Sequence, residues 1–369
     1  MKSARKRKSS PAQPPGATDS SVDLTRLINI VSAFSQQTVC VIGDFVLDEF
    51  VSGEISRVSR EAPVLILRHR RTEAFPGGAA NAVNNLASLG AEVLPVGLVG
   101  DDGAGRGLLQ YFRHKDIDTS RILTVNDWVT TTKTRYLAGW THTTEQQVLR
   151  LDREPSVALP PRVHKMLATK ARAAARRASG VLVSDYGLGA ASPSLVRALV
   201  RALRAKSITL DSRYRLLNYR NAPLTAATPN EPELEAAYHE PIGNNVRKLE
   251  ELGSRALRDM GVQALLVTRG KDGMALFEAA AGRKAGPPAV HHIPIYGSDA
   301  PVDVTGAGDT VIAVFTLALA AGATNLEAAH LANYAGGIVV MKRRTATVTR
   351  AELEAVLRRE ATAAQQEGA

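Results

Sequence analysis

From Thr38 onward the chain alternates short β-branched and apolar runs with longer stretches of helical period, and this alternation restricts the fold more than any other feature. A strand followed by a helix returns to the same sheet by a crossover. The repeated unit therefore builds an α/β fold, a mainly parallel sheet with helices on both faces. Val39-Cys-Val-Ile42 reads as a buried strand, and residues 93–99, 180–184, 207–210 and 264–268 as further strands. Residues 81–89 and 193–204 have helical period. The apolar run 311–323 contains Thr316 and falls short of the roughly 20 residues a membrane span needs. No period of about 20 to 50 residues recurs, which sets a repeat architecture aside.

Segments 51–74 and 130–151 break the pattern with half-exposed alternation. They predict antiparallel strands in a small separate sheet, a lid over a cleft, with its strands within about 48–76 and 128–152. Thr349-Arg-Ala-Glu352 has capping-box spacing and predicts a last helix through about residue 359. Residues 1–20 are basic, then rich in Ser, Pro, Ala and Gly, and predict a disordered tail. One domain over 21–360 and a short polar tail at 361–369 complete the division.

A chain of 369 residues with 44% hydrophobic side chains can bury a large core. The single cysteine, Cys40, excludes an intramolecular disulfide framework and any multi-cysteine zinc site. With no apolar leader, the expected compartment is the cytoplasm. The net charge of +10 includes five positives between Lys2 and Lys8; the first twenty residues hold one acid, Asp19. The remainder keeps 41 basic against 35 acidic side chains. That balance suits an anionic small molecule such as a phosphate. Nucleic acid is disfavoured by the lack of interleaved aromatics, and a membrane partner by the lack of a span.

Asp303-Val-Thr-Gly306-Ala307-Gly308-Asp309-Thr310 stands directly before the apolar helix at 311. Small residues at 306–308 let backbone amides converge at a helix N-terminus, where the macrodipole favours an anion. A carboxylate beside that anion is electrostatically costly unless it accepts a proton, which makes Asp309 a candidate base. A Gly-Ala-Gly turn capping a buried helix is the plain structural alternative. Pro76-Gly77-Gly78-Ala-Ala-Asn81 opens another helix, and Asn81 carries an amide able to meet sugar hydroxyls. This second glycine cluster has neither dinucleotide nor Walker A spacing, so neither a Rossmann oxidoreductase nor a P-loop enzyme is supported.

With Val41-Ile-Gly-Asp-Phe-Val-Leu-Asp48, Ser56-Arg-Val-Ser-Arg-Glu-Ala-Pro-Val64 and Gln146-Gln-Val-Leu-Arg-Leu-Asp152, these motifs make the chain similar to ribokinase-like (PfkB) carbohydrate kinases. The resemblance runs from about residue 39 to 349. Within that family the wording resembles the kinase part of the D-glycero-β-D-manno-heptose 7-phosphate kinases. It implies a three-layer ribokinase-like fold with a β-lid, ATP and magnesium as cofactors with a monovalent cation left open, and pairing of two copies through the lids. The implied reaction phosphorylates O-1 of the heptose 7-phosphate to the 1,7-bisphosphate used in ADP-heptose synthesis. Another sugar or sugar phosphate as acceptor, or a non-catalytic sugar- or nucleotide-binding regulator, are the competing readings.

Matched position by position, the resemblance implies Asp309 as base and Gly306, Ala307 and Gly308 as the anion hole. Asp48, Gly78 and Asn81 match the sugar floor. Asn230 and Glu233, in Asn-x-x-Glu, match the element that orders magnesium and its waters. Thr268 and Gly270 match a contact to the nucleotide phosphates, and Asn333 the adenine side. Arg57, Lys133, Arg135 and Arg150 are candidates for a phosphate already on the sugar, because a guanidinium fork suits phosphate. The chain departs from the heptose pattern at Leu188 and Arg213, where the pattern has lysines. It lacks the H-x-G-H of the nucleotidyltransferase half, so the kinase half alone is expected. His291-His292 reads as surface strand.

Overall fold

The structure, a computed structural model, describes residues 22–140, 145–203, 206–280, 286–298 and 300–367, so the predicted tail at 1–20 lies outside the described residues. Asp23 caps α1 (Leu24–Ser32) by accepting from Thr25 N at 2.8 Å, and β1 (Thr38–Gly43) follows. β2 (Phe45–Val58) and β3 (Leu65–Gly78) leave the main sheet as a long hairpin. α2 (Ala79–Ser88), β4 (Glu92–Gly100), α3 (Gly103–His114) and β5 (Ile122–Val125) carry the chain to one edge. β6 (Thr131–Gly139) and β7 (Gln146–Arg153) form a second excursion. α4 (Pro161–Arg177), β8 (Gly180–Asp185), α5 (Pro193–Ala202), β9 (Ser207–Ser212), β10 (Ala226–Ala227), α6 (Glu231–Tyr238), α7 (Val246–Met260) and β11 (Ala264–Thr268) build the other half. β12 (Met274–Glu278), β13 (Ala289–Ile293), α8 (Ala307–Ala320), α9 (Asn325–Val339) and α10 (Arg350–Glu367) complete the order.

Nine strands form one sheet in the order β13-β12-β11-β10-β9-β8-β1-β4-β5, parallel except where β12 and β13 turn back antiparallel at one edge. β1 is an interior strand, and its side chains from Val39 to Ile42 are buried on both faces. Val39 and Val41 enter a core with α1, α2, α3, α8, α9 and α10, while Cys40 and Ile42 enter the opposite core with α4, α5, α6 and α7. Helices on both faces make this the three-layer ribokinase-like architecture. Between β4 and β8 the chain direction of sheet growth reverses at β1, and the crevice beyond the carboxyl ends of parallel strands is where such folds bind ligands. Among the described residues no helix is long and apolar enough to cross a membrane.

The second sheet has the order β3-β2-β6-β7. Its outer pairs are antiparallel as expected, but β2 and β6 run parallel, with Asp48 beside Lys133 and Phe50 beside Arg135. Both strands leave the same edge of the large sheet in the same direction, which forces the parallel central pair. A second difference is at the C-terminus. Thr349 and Glu352 exchange side-chain bonds as the capping box predicts, yet the helix continues past 359 through 361–367. That Ala- and Gln-rich stretch has high helix propensity and needs no buried face to extend the last turns.

Candidate active site

Strand ends set the site. Asp44 follows β1, Tyr186 follows β8, Arg213 follows β9, and Asn230, beyond β10, bridges in parallel to Thr268 at the end of β11. Asp44, buried at 2% exposure, accepts from the amides of Tyr186, Leu188 and Ala190 at 2.8–3.0 Å. This clamp fixes the loop after β8, and burial pushes the Asp44 carboxyl up to about 6. Asp185 at the same strand end is held by Arg215, Tyr219 and Ser212.

α8 begins where Gly306 adopts φ +78°, a left-handed turn that L side chains rarely tolerate. A Cβ there would stand 2.5 Å from Asn81 Nδ2. Asp309, in the first turn, is 4% exposed; Asn81 Nδ2 donates to its Oδ2 at 3.1 Å and the Tyr186 hydroxyl to its Oδ1 at 2.9 Å. Burial pushes Asp309 up to about 7, with the two donors pulling the other way and the Asp48 charge adding to the rise. A carboxyl poised there can take a proton near neutrality.

A polar cavity of about 430 Å³, here termed the acceptor half for the reading argued below, opens over Asp309, lined by Asp48, Gly78, Lys133, Arg150, Tyr186, Arg213 and others from both sheets. It joins an apolar cavity of about 200 Å³ across the N-terminus of α8, since Thr268, Val304, Gly308 and Val311 line both. Met274, Ile295, Val340 and Gly336 give the second cavity walls for a flat apolar ring, with Gly270 at its rim. One groove thus has a polar, charged half and an apolar half, with helix-terminal amides at the junction.

The expected residues divide as follows. Gly306, Gly308, Asp309, Asp48, Gly78, Lys133, Asn230, Glu233 and Thr268 meet in the acceptor half, and Ala307, Gly270 and Asn333 in the apolar half. Ala307 N is spent on Val304 O at 3.2 Å, whereas the amides of Gly306, Gly308 and Asp309 carry no hydrogen bond among the described residues. Asn81 is fully buried and its amide goes to Gly306 O and Asp309 Oδ2, so it holds the Asp309 carboxylate and does not line the cavity. Asp48 is held by Arg135 at 2.6 Å. Asn333 donates to Pro294 O at 2.8 Å and leaves its carbonyl for the cavity. Arg57 is not brought here: it is exposed on the outer half of β2, past the bulge at Ile55. Arg150 lines the cavity but forms a two-point ion pair with Asp152.

Leu188 does not leave a gap in the cavity's charge. Its side chain lies with Phe45, Leu98 and Trp128 below the strand end, outside the acceptor half. On the edge strand β13, His292 is exposed and pairs with Glu250 as a surface strand would, whereas His291 is half-buried beside Glu278, its Nδ1 buried without a hydrogen-bond partner among the described residues. Sequence reasoning gave no role to Asp44, Tyr186 and Asp211. A carboxylate straight after the buried strand 39–43 was the available signal for Asp44, whereas only folding brings Asp211 beside Glu233 and Asp309.

A family model described as pfkB family carbohydrate kinase matches residues 36–352. The chain belongs to the pfkB family of carbohydrate kinases. As a member it is a phosphotransferase acting on a sugar hydroxyl. It is 38% identical over 331 residues to a "Bifunctional protein HldE" of Desulfatibacillum aliphaticivorans, covering 89% of this chain and 64% of that relative. A namesake from Pelobacter propionicus is 36% identical over 333 residues, covering 90% and 65%. The chain thus spans a little under two thirds of the length of these relatives. Its fold matches Arabidopsis thaliana ribokinase complexed with ribose and ATP, with TM-score 0.65 and 18% identity over 87% of this chain and 98% of that one. Escherichia coli phosphofructokinase-2 in complex with substrates and products gives TM-score 0.66 at 15% identity, over 87% and 98%.

Proposed function

We propose that this kinase transfers the γ-phosphoryl group of ATP to a sugar that already carries a phosphate, and that the acceptor is D-glycero-β-D-manno-heptose 7-phosphate, phosphorylated at O-1. One observation carries the phosphorylated acceptor. Lys133 and Arg213 line the acceptor cavity, and neither has a carboxylate ion-pair partner among the described residues. Burial and the neighbouring Arg213 charge lower the Lys133 ammonium below its ordinary value. Two cations that repel each other, Lys133 half-buried and Arg213 exposed, are stabilised by a dianion between them. The heptose assignment rests on likeness to the bifunctional relatives and on the motif wording.

Asp309 accepts the proton of the attacking hydroxyl, the Gly308 and Asp309 amides offset charge on the transferring group, and the apolar cavity takes the adenine. Asn230 and Glu233 lock each other through reciprocal side-chain bonds at 2.8 and 3.0 Å. Burial raises both Glu233 and its neighbour Asp211, and the Glu233 charge further opposes ionisation of Asp211. Two crowded carboxylates with an amide oxygen fit a hard divalent cation such as magnesium. When bound, magnesium would neutralise phosphate charge.

Exposed Val148, Leu149 and Leu151 on β7, with Trp140 beside them, support a homodimer formed through the lids. The deciding experiment follows ADP release from ATP and magnesium with heptose 7-phosphate and a panel of plain and phosphorylated sugars. Turnover confined to the heptose phosphate and lost in Asp309→Asn is expected. Turnover on a different sugar would discard the heptose; none at all would favour a binding regulator.

A further inference from the structure

Tyr186 lies at the one point where the base, the acceptor cavity and the clamped loop meet. Its hydroxyl is 2.9 Å from Asp309 Oδ1, and its amide is one of the three held by Asp44. Its ring has the Lys133 ammonium 5.0 Å and the Arg213 guanidinium 6.0 Å from its centroid, both within cation–π reach. Arg213 is steadied in turn by Tyr214, whose hydroxyl accepts from its Nε at 3.0 Å. The phenol therefore joins the group that takes the proton to the two cations that have no carboxylate at ion-pair distance among the described residues.

We propose that Tyr186 is a positioning residue: its hydroxyl holds Asp309 toward the acceptor hydroxyl, and its ring fixes Lys133 and Arg213 where they grip the acceptor's own phosphate. The inference rests on the kinase reading above and deepens it. One side chain then sets both ends of the acceptor, so a sugar lacking its phosphate is held less well in line with the base.

The charged and titratable groups facing Asp309 are Asp48 from β2, Lys133 from β6, Tyr186 after β8, and Asp211 and Arg213 from the end of β9. Of these, Tyr186 alone donates a hydrogen bond to the carboxylate, joined by the neutral amide of Asn81. Removing a donor to a carboxylate raises its pKa.

The test uses the full chain with Tyr186→Phe, which keeps the ring, and Tyr186→Leu, which removes it. In Tyr186→Phe the acid limb of kcat/KM against pH is expected to move up by about one pH unit. ADP release near pH 7 falls about fivefold and recovers by about pH 8.5, with KM for the phosphorylated sugar unchanged. Tyr186→Leu adds a rise in KM for the phosphorylated acceptor, and none for an unphosphorylated one. An unmoved acid limb in Tyr186→Phe overturns the proposal, as does an unchanged KM in Tyr186→Leu. A second measurement is independent of turnover. The Asp309 signal in protein carrying 13C-labelled aspartate, identified by its absence in Asp309→Asn, should titrate higher in Tyr186→Phe. If the wild type turns over no sugar, the kinase reading fails, while an unchanged midpoint in that titration still overturns the Tyr186 contact.

Discussion

Asp309 is held with its carboxyl near neutrality by a balance of burial against two hydrogen-bond donors, and that balance has a thermodynamic cost. Its folded pKa, about 7, lies above its unfolded value of about 3.9. Between those values the folded state binds the extra proton, so this group's contribution to stability is full below about pH 4 and is lost as pH rises through 7. Asp309→Asn removes the titration. The variant is expected to be inactive, with kcat down by about 10²–10⁴-fold. It should also be more stable than the parent at pH 8 by about 1–3 kcal/mol, with the difference fading below pH 4. Urea melts at pH 4 and pH 8 check this; a variant less stable at pH 8 would contradict it. The two-aspartate motif made Asp309 readable along the chain. Its donors were not, because Asn81 and Tyr186 are 228 and 123 positions away and meet it only where α2 and the loop after β8 pack against the start of α8.

The lid is fastened by an element that carried no motif at all. The segment after α9 bends at Arg344, whose φ of +66° is uncommon for a side chain of this size. Its amide donates to Asp303 Oδ2 at 2.9 Å, below the N-terminus of α8. Its guanidinium reaches Glu145 at 3.1 Å and Glu73 at 3.3 Å on the lid, and stacks on Phe50, which Arg135 also approaches. One residue thereby ties the loop before the anion hole to β2 and β3. Arg344→Ala should destabilise the protein by about 1–3 kcal/mol, leaving two lid carboxylates without this partner. The sharper readout is hydrogen exchange, which should speed up at amides of β2 and β3 while β1 and β8 keep their protection. Equal protection throughout the lid would refute the fastening. Lid strands themselves were foreseen from half-exposed alternation, but the parallel pairing of β2 with β6 was not, since alternation reports which face is covered and is silent on strand direction.

At the scale of the molecule, β7 is exposed along all eight residues and presents Val148, Leu149 and Leu151 to solvent at the free edge of the lid. An open apolar edge strand invites pairing, and a second copy offers a matching edge. Leu149→Glu with Leu151→Glu is therefore expected to convert a dimer seen by light scattering into a monomer, with the thermal midpoint of the main domain little changed. A wild-type monomer at working concentration would remove the lid pairing.

The chain's local order determined the large features: buried strands at 39–42, 180–184 and 264–268, the helix after residue 306, and the turn chemistry of Gly306 all follow from periodicity and from residues whose backbone options are few. Such properties act within a few residues, so they can be read in one dimension. Tertiary structure alone decided which polar groups share a cavity. It turned Asn81 from a sugar contact into a support for Asp309, left Arg57 outside on its strand, spent Arg150 on Asp152, and set Lys133 and Arg213 against the ring of Tyr186, with no carboxylate at ion-pair distance from either among the described residues. Those outcomes depend on distances across the sheet, and the energy of a charge depends on its neighbours and its burial, neither of which a linear pattern contains.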